Sequence, residues 1–193
     1  MVKKQNKISA RLSLVLRKIA NDHHLSQVAE DEGCSRTDLK EALVALADKI
    51  EQETGTDIVT LAVDGAARGN PGPAGAGAAL LDSQGRSLAE KTMYLGKATN
   101  NEAEYQALVM GLTLALERDH PRILIQTDSE LMAKQITGEY KIKEPRLKKY
   151  FTQAHALLEK FQKWEIKAVP RAENRLADRL SNIAIDKVAK EDL

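Results

Sequence analysis

Two short apolar runs in this chain end alike, Leu61-Ala-Val-Asp64-Gly65 and Ile125-Gln-Thr-Asp128-Ser129, and what lies between them leaves few ways to arrange them. Ile58 to Val63 reads as a strand closed by Asp64-Gly65, and Arg68-Gly-Asn-Pro-Gly-Pro73 is dense in turn residues. Ala76 to Leu81 and Ser87 to Tyr94 read as strands joined by a hairpin turn at Asp82-Ser-Gln-Gly85. Asn100 to Arg118 has an amphipathic helical pattern with a Leu/Ala/Met face, and Arg122 to Thr127 returns to strand. Helices follow at 129–137 and 145–162, then a strand at 165–169 and a last helix at 171–190. The order βββαβααβα predicts an α/β fold, a five-stranded mixed sheet flanked by helices. Right-handed crossovers put the fourth strand parallel to the first and beside it.

Before residue 51 the texture differs: Gly is nearly absent and apolar residues recur at helical spacing. Ile8, Leu12, Leu16 and Ile19 mark one helix face, and Leu25, Val28 and Ala29 begin a second helix that Gly33 stops. Ser35 and Thr37 start a third, expected to bury Leu39, Leu43, Leu46 and Ile50. We expect a three-helix module at 1–52, a linker at 53–56 and the main domain at 57–193. The chain's 193 residues fit one full domain and a small appendage. No run of about 18 apolar residues could span a bilayer. The basic N-terminus is interrupted by Arg11, Arg17 and Lys18 and has no small-residue cleavage site, so no secretory signal or membrane partner is expected, and the expected location is cytoplasmic. A lone Cys34 excludes an intrachain disulfide framework and a multi-Cys zinc site. The balance of 29 Lys+Arg against 28 Asp+Glu argues against a polyanion binder held by bulk charge.

An Asp at the carboxyl end of each of two adjacent parallel strands brings two carboxylates to one sheet edge, about 4.8 Å apart strand to strand. In open α/β sheets that edge binds ligands. Each Asp could instead start a turn or cap the next helix. The pair is harder to explain so, because neighbouring carboxylates repel and raise one another's pKa, and a cation removes that cost. Glu104, near the start of the helix from Asn100, and Asp178, on the last helix, can join them. Four oxygen ligands suit Mg²⁺ or Mn²⁺ rather than zinc.

Asp64-Gly-Ala-Ala-Arg-Gly-Asn-Pro-Gly-Pro73, Thr99-Asn-Asn-Glu-Ala-Glu-Tyr105, Thr127-Asp-Ser129 and Asn174-Arg-Leu-Ala-Asp178 together resemble type 1 ribonuclease H, in its compact bacterial and archaeal branch. The resemblance covers essentially all of residues 57–193. It implies a ribonuclease-H-like fold and cleavage of the RNA strand of RNA–DNA hybrids with two Mg²⁺ ions, or Mn²⁺. It places metal-binding and catalytic roles on Asp64, Glu104, Asp128 and Asp178. Substrate contacts map by match to Gly65, Asn70, Thr99, Asn100, Asn101, Ser129, Arg171 and Asn174. Other readings stay open: Thr99 and Asn100 can cap the helix, and Asn70-Pro71-Gly72 is a competent turn by itself.

The chain departs from the family pattern in three places. The loop Lys167-Ala-Val-Pro-Arg-Ala-Glu-Asn174 lacks the His that many members carry there, and Arg171, which cannot titrate near neutrality, is the nearest candidate. Glu130 stands where Gln is frequent. The basic, Trp-rich handle of longer members is replaced by Gly138 to Lys149, whose Lys141, Lys143, Arg146, Lys148 and Lys149 can track phosphates or simply form a solvated helix start. In the appendage, Ala29-x₃-Gly33 has helix-turn-helix spacing, which other three-helix bundles share. Its first 21 residues hold six Lys/Arg and no acid, so it can bind nucleic acid, or else protein. The alternative to an enzyme is a non-catalytic nucleic-acid-binding or regulatory protein built on the same fold.

Overall fold

The computed structural model describes residues 15–16, 18–20, 25–31, 33–54 and 58–191. The chain divides into two compact units, Met1–Thr56 and Asp57–Leu193. In the first, helix α1 (Leu25–Asp31) packs on α2 (Arg36–Thr54). Gly33 turns the chain with φ +69°, a backbone conformation that costs glycine little, and Cys34 N–H donates to the Ala29 carbonyl at 2.9 Å. Ser35 starts α2 by accepting from Asp38 N–H at 3.1 Å. One burial expectation is corrected: Leu46 is largely exposed, and the neighbouring Ala47 is buried instead. Close packing through small alanines turns the larger apolar groups outward. Ile8, Leu12 and the side chain of Ile50 lie outside the described residues. Helix α2 also runs to Thr54, into the stretch expected to be linker.

The second unit contains β1 (Val59–Ala67), β2 (Gly72–Leu81), β3 (Ser87–Ala98), α3 (Asn100–Glu117), β4 (Arg122–Thr127), α4 (Glu130–Ile136), α5 (Pro145–Leu158), β5 (Lys163–Ala168) and α6 (Arg175–Glu191). The sheet order is β3-β2-β1-β4-β5, with β4 and β5 parallel to their neighbours and the first three strands antiparallel. This is the predicted five-stranded mixed sheet.

The largest departure from expectation is the length of the first hairpin. β1 does not close at Asp64 but pairs on to Ala67, opposite Ala74, so the turn-rich segment is only the tip of a long hairpin. Arg68 N–H closes that tip on the Pro73 carbonyl at 2.8 Å. At the other end of the chain, the expected helix from 171 breaks into a short 3₁₀ turn, Arg171–Glu173, followed by α6. Pro170 fixes the entry to that turn and Asn174 ends it. Helix α5 stops at Leu158 rather than running to 162, and Gln162 N–H is tied to the Pro121 carbonyl at 2.8 Å. Among the described residues, no helix is long and apolar enough to cross a membrane.

Alternation along β1 and β2 serves both faces of the sheet. Leu61, Val63, Ala76, Ala78 and Leu80 build the main core with Tyr105, Leu108 and Leu112 of α3. Each fully buried Leu contributes roughly 1.5–3 kcal/mol of transfer free energy. Trp164 and Phe151 pack against this cluster as partly buried groups. The other face receives α6, and here small size matters more than hydrophobicity. A Cβ on Gly77 would fall 2.5 Å from both the Ala177 carbonyl oxygen and Ser181 N, and one on Gly75 would fall 2.4 Å from the Ser181 carbonyl oxygen. The helix backbone therefore rests directly on the sheet. Gly77→Ala is expected to push α6 off the sheet and lower stability by about 1–3 kcal/mol, the usual range for overpacking. Urea unfolding of the full chain measures this, and an unchanged midpoint would show that the contact is not tight.

Candidate active site

The last β1–β4 pair is Ala62 with Gln126, so two residues further on Asp64 and Asp128 come level. Asp64 lies within β1, opposite Gly77 of β2, and not at a strand end as expected. Its side chain is 7% exposed and faces α6, where Ser181 Oγ donates to its Oδ2 at 2.5 Å. Asp128 follows directly on β4 and is half-buried. Antiparallel pairing to β2 carries β1 past its parallel partner, and sequence spacing did not reveal that extension.

Glu104 comes from the fifth position of α3. It reaches the site because Gly65 has no side chain: a Cβ there would meet the Ala103 carbonyl carbon at 2.1 Å and Glu104 N at 2.2 Å. Gly65 is thus buried beneath the helix start, a different place from the expected backbone contact with substrate. Thr99 caps α3 reciprocally with Glu102: Glu102 N–H donates to Thr99 Oγ1 at 3.3 Å, and Thr99 N–H donates to Glu102 Oε2 at 2.9 Å. The capping alternative for Thr99 is therefore the observed one. Asn100 donates through Nδ2 to Glu104 Oε1 at 3.0 Å, and its backbone N–H donates to Asn70 Oδ1 at 3.1 Å. Asn70, Asn100 and Asn101 are exposed, and these bonds tie Asn70 and Asn100 to the carboxylate of Glu104.

Asp178 lies in the first turn of α6. Arg171 grips its Oδ1 with two donors, Nε at 3.0 Å and Nη2 at 2.5 Å. Asn174 is 1% exposed and donates from Nδ2 to the Val63 carbonyl at 2.9 Å, leaving its Oδ1 buried without a partner. This residue pins the loop to β1, which corrects its expected place as a surface contact. Ser129 caps α4, accepting from Met132 N–H at 3.3 Å. Glu130 does not join the acids: it is exposed and paired with Lys134 at 2.6 Å, which lowers its carboxyl pKa.

Electrostatics bind these groups into one neighbourhood. Burial above all raises the Asp64 carboxyl to about 6, against the Ser181 hydrogen bond and with further raising by the charges of Asp128 and Asp178. Burial likewise raises Glu104 to about 7, opposed by a hydrogen bond from Ser129 and reinforced by Asp128 and Asp64. Among the described residues, no three Asp, Glu, His or Cys side chains are closed into a ready-made metal cage. The carboxylates are turned instead to Ser181, Asn100 and Arg171. Ser181 was missed in the sequence, although its place three residues after Asp178 puts it on the same helix face. A cleft of about 490 Å³ opens beside Asp128, lined in part by Lys134, Thr137, Ile166 and Val169.

A mixed sheet with acids level on its two central parallel strands, and two more acids brought in by helices, is the layout of a ribonuclease-H-like domain. Residues 62–184 match the family described as reverse transcriptase-like. Ribonuclease HI of Halobacterium salinarum is 40% identical over 156 residues, covering 74% of this chain and 78% of that protein. The crystal structure of RNase H1 from the same archaeon superposes with a TM-score of 0.65 at 43% identity, covering 67% of this chain and 98% of that one. LC11-RNase H1, whose structure was solved in complex with an RNA/DNA hybrid, matches with a TM-score of 0.64 at 40% identity over 68% of this chain and 99% of that one. The bifunctional protein Rv2228c of Mycobacterium tuberculosis is 42% identical over 133 residues, but this chain spans only 36% of its length. The chain belongs to the ribonuclease H family, in its type 1 branch.

Both perturbed carboxyls hold a proton more tightly folded than unfolded. These two groups are therefore more protonated in the folded than in the unfolded protein between about pH 4 and pH 7, and their contribution to stability falls as pH rises through that window. In excess chelator, the melting temperature of wild type should drop between pH 4 and 7 more steeply than that of Asp64→Asn, which lacks one of the two groups. Parallel profiles would mean that Asp64 carries no such cost.

Proposed function

We propose that residues 57–193 cleave the RNA strand of RNA–DNA hybrids by phosphodiester hydrolysis dependent on two divalent cations, Mg²⁺ or Mn²⁺. The observation that carries this reading is the concentration of four carboxylates around the β1–β4 strand ends. Buried Asp64 and half-buried Glu104 are protonated more readily than free acids, in a chain 40% identical to a ribonuclease HI. The donor set fits the cations: it is all oxygen and anionic, and its mutual repulsion is relieved by positive charge.

Asp64 and Asp128 would hold both ions, with Glu104 and Asp178 completing their shells. When bound, such ions supply a nucleophilic water and stabilise the charge that develops on the leaving 3′ oxygen. The chain's own groups do the rest. Ser181 and Asn100 hold Asp64 and Glu104 in fixed orientations, so the carboxylates need little reorganisation. Asn70, Asn100 and Asn101 present short polar side chains to the minor groove, where the 2′-OH distinguishes RNA from DNA. Gly65, Ser129 and Asn174 act from beneath: they seat α3, cap α4 and anchor the Arg171 loop. Arg171 is the group placed to meet a phosphate. Thr99 and Glu102 share the start of α3 with the basic stretch of α5, since the charges of Arg146 and Lys149 help lower the Glu102 carboxyl. That proximity supports a phosphate-tracking role for the segment that replaces the longer members' handle. The helical unit 1–56 is proposed to be an accessory that contacts nucleic acid or protein, and the protein is proposed to work in the cytoplasm.

Labelled RNA–DNA hybrid, double-stranded RNA and double-stranded DNA, each incubated with Mg²⁺ or Mn²⁺, test this reading. The expected outcome is cleavage of the hybrid's RNA strand alone, with Asp128→Asn at least about 100-fold slower because a charged ligand is lost. Tight hybrid binding without cleavage would favour the non-catalytic alternative. Undiminished cleavage by Asp128→Asn would overturn the site.

A further inference from the structure

Asp178 already has a cationic partner within the chain. Arg171 places Nε and Nη2 on the same oxygen, Oδ1, at 3.0 and 2.5 Å, which occupies the lone pairs that oxygen would offer a metal ion. The guanidinium also lies in the field of Asp64 and Asp128, whose charges add to the attraction of Asp178. Its backbone is anchored, and its side chain lies on the exposed side of the site. The 3₁₀ turn Arg171–Glu173 is anchored through buried Asn174 to the Val63 carbonyl, whereas the Arg171 side chain is 72% exposed.

We propose that Arg171 sets the divalent-cation affinity of the site: guanidinium and cation compete for Asp178 Oδ1, and cation binding releases Arg171 toward the substrate phosphate. This rests on the reading of Asp178 as a metal ligand. A histidine in this loop would lose its charge near neutrality, so its competition would fade as pH rises. Arginine keeps its charge, and the competition persists across the neutral range. The pair is partly exposed, and partly exposed ion pairs are weak. The cation therefore prevails, at the cost of only a small factor in affinity.

The test is calorimetric titration of the full chain with Mn²⁺ at pH 6.5 and 8.0, for wild type, Arg171→Gln and Arg171→Lys. The Arg171 Nε–H resonance is followed in parallel during titration with diamagnetic Mg²⁺. Arg171→Gln should bind Mn²⁺ about threefold tighter at both pH values, with Arg171→Lys in between, as expected from removing a weak ion pair. The Nε–H resonance of wild type should shift in step with Mg²⁺ saturation. Unchanged or weakened Mn²⁺ binding by Arg171→Gln, or a resonance that stays put at saturating Mg²⁺, overturns the proposal while leaving the metal site standing. Failure of wild type to bind either cation overturns both the proposal and the metal-dependent reading. Melting curves in chelator establish that each variant is folded.

Discussion

Everything at the site depends on two helices lying backbone-to-backbone on the sheet. Helix α3 brings its backbone against β1 where Gly65 leaves room, and α6 brings its backbone against β2 over Gly75 and Gly77. These contacts bring Glu104 from one side, and Ser181 and Asp178 from the other, to an aspartate that the sheet itself presents. A methyl group at any of the three glycines would fall within 2.1–2.5 Å of helix backbone atoms, so the helix would have to shift. Packing of this kind is costly to alter, because protein interiors are close to crystal density and have nowhere to move the displaced atoms.

The same closeness creates the electrostatic problem that the site is built around. Burial is the leading cause of the raised Asp64 and Glu104 carboxyls, and the neighbouring acids add to it. Three of the four carboxylates have different protein partners: a hydroxyl for Asp64, an amide for Glu104 and a guanidinium for Asp178. Only the last is charged. It belongs to the exposed side of the site, where a counter-charge can leave without uncovering a buried group. The near balance of basic and acidic residues in the whole chain gave no hint of this. Net charge averages over a surface on which these acids are concentrated at one place.

Much of the site was readable one residue at a time. The aspartates after two β runs, the Thr-Asn-Asn-Glu block opening an amphipathic helix and the acid in the last helix follow from local patterns that reflect period, capping and turn chemistry. What was misread shares a single cause. Gly65 reads as punctuation after a strand, yet it is a seat for a helix. Asn174 maps by match to a substrate contact, yet its side chain is buried and bonded to the Val63 carbonyl. Leu46 reads as core, yet it is largely exposed and Ala47 beside it is buried. In each case the decisive neighbour is distant in sequence or on another helix, and no local pattern encodes it.

By itself, the sequence determined the order of strands and helices in residues 57–193 and picked out four acids as candidate ligands. These are set by short-range preferences and by the handedness of crossovers. Only the tertiary structure decided that Asp64 sits within a strand rather than at its end. It also decided that Ser181 holds Asp64, and that Asn174 is anchored on Val63. Those facts depend on the β1–β2 register and on how closely α3 and α6 approach the sheet. Such distances are fixed when the whole domain packs, because a contact between residues more than 100 positions apart has no meaning in the chain until the layers close.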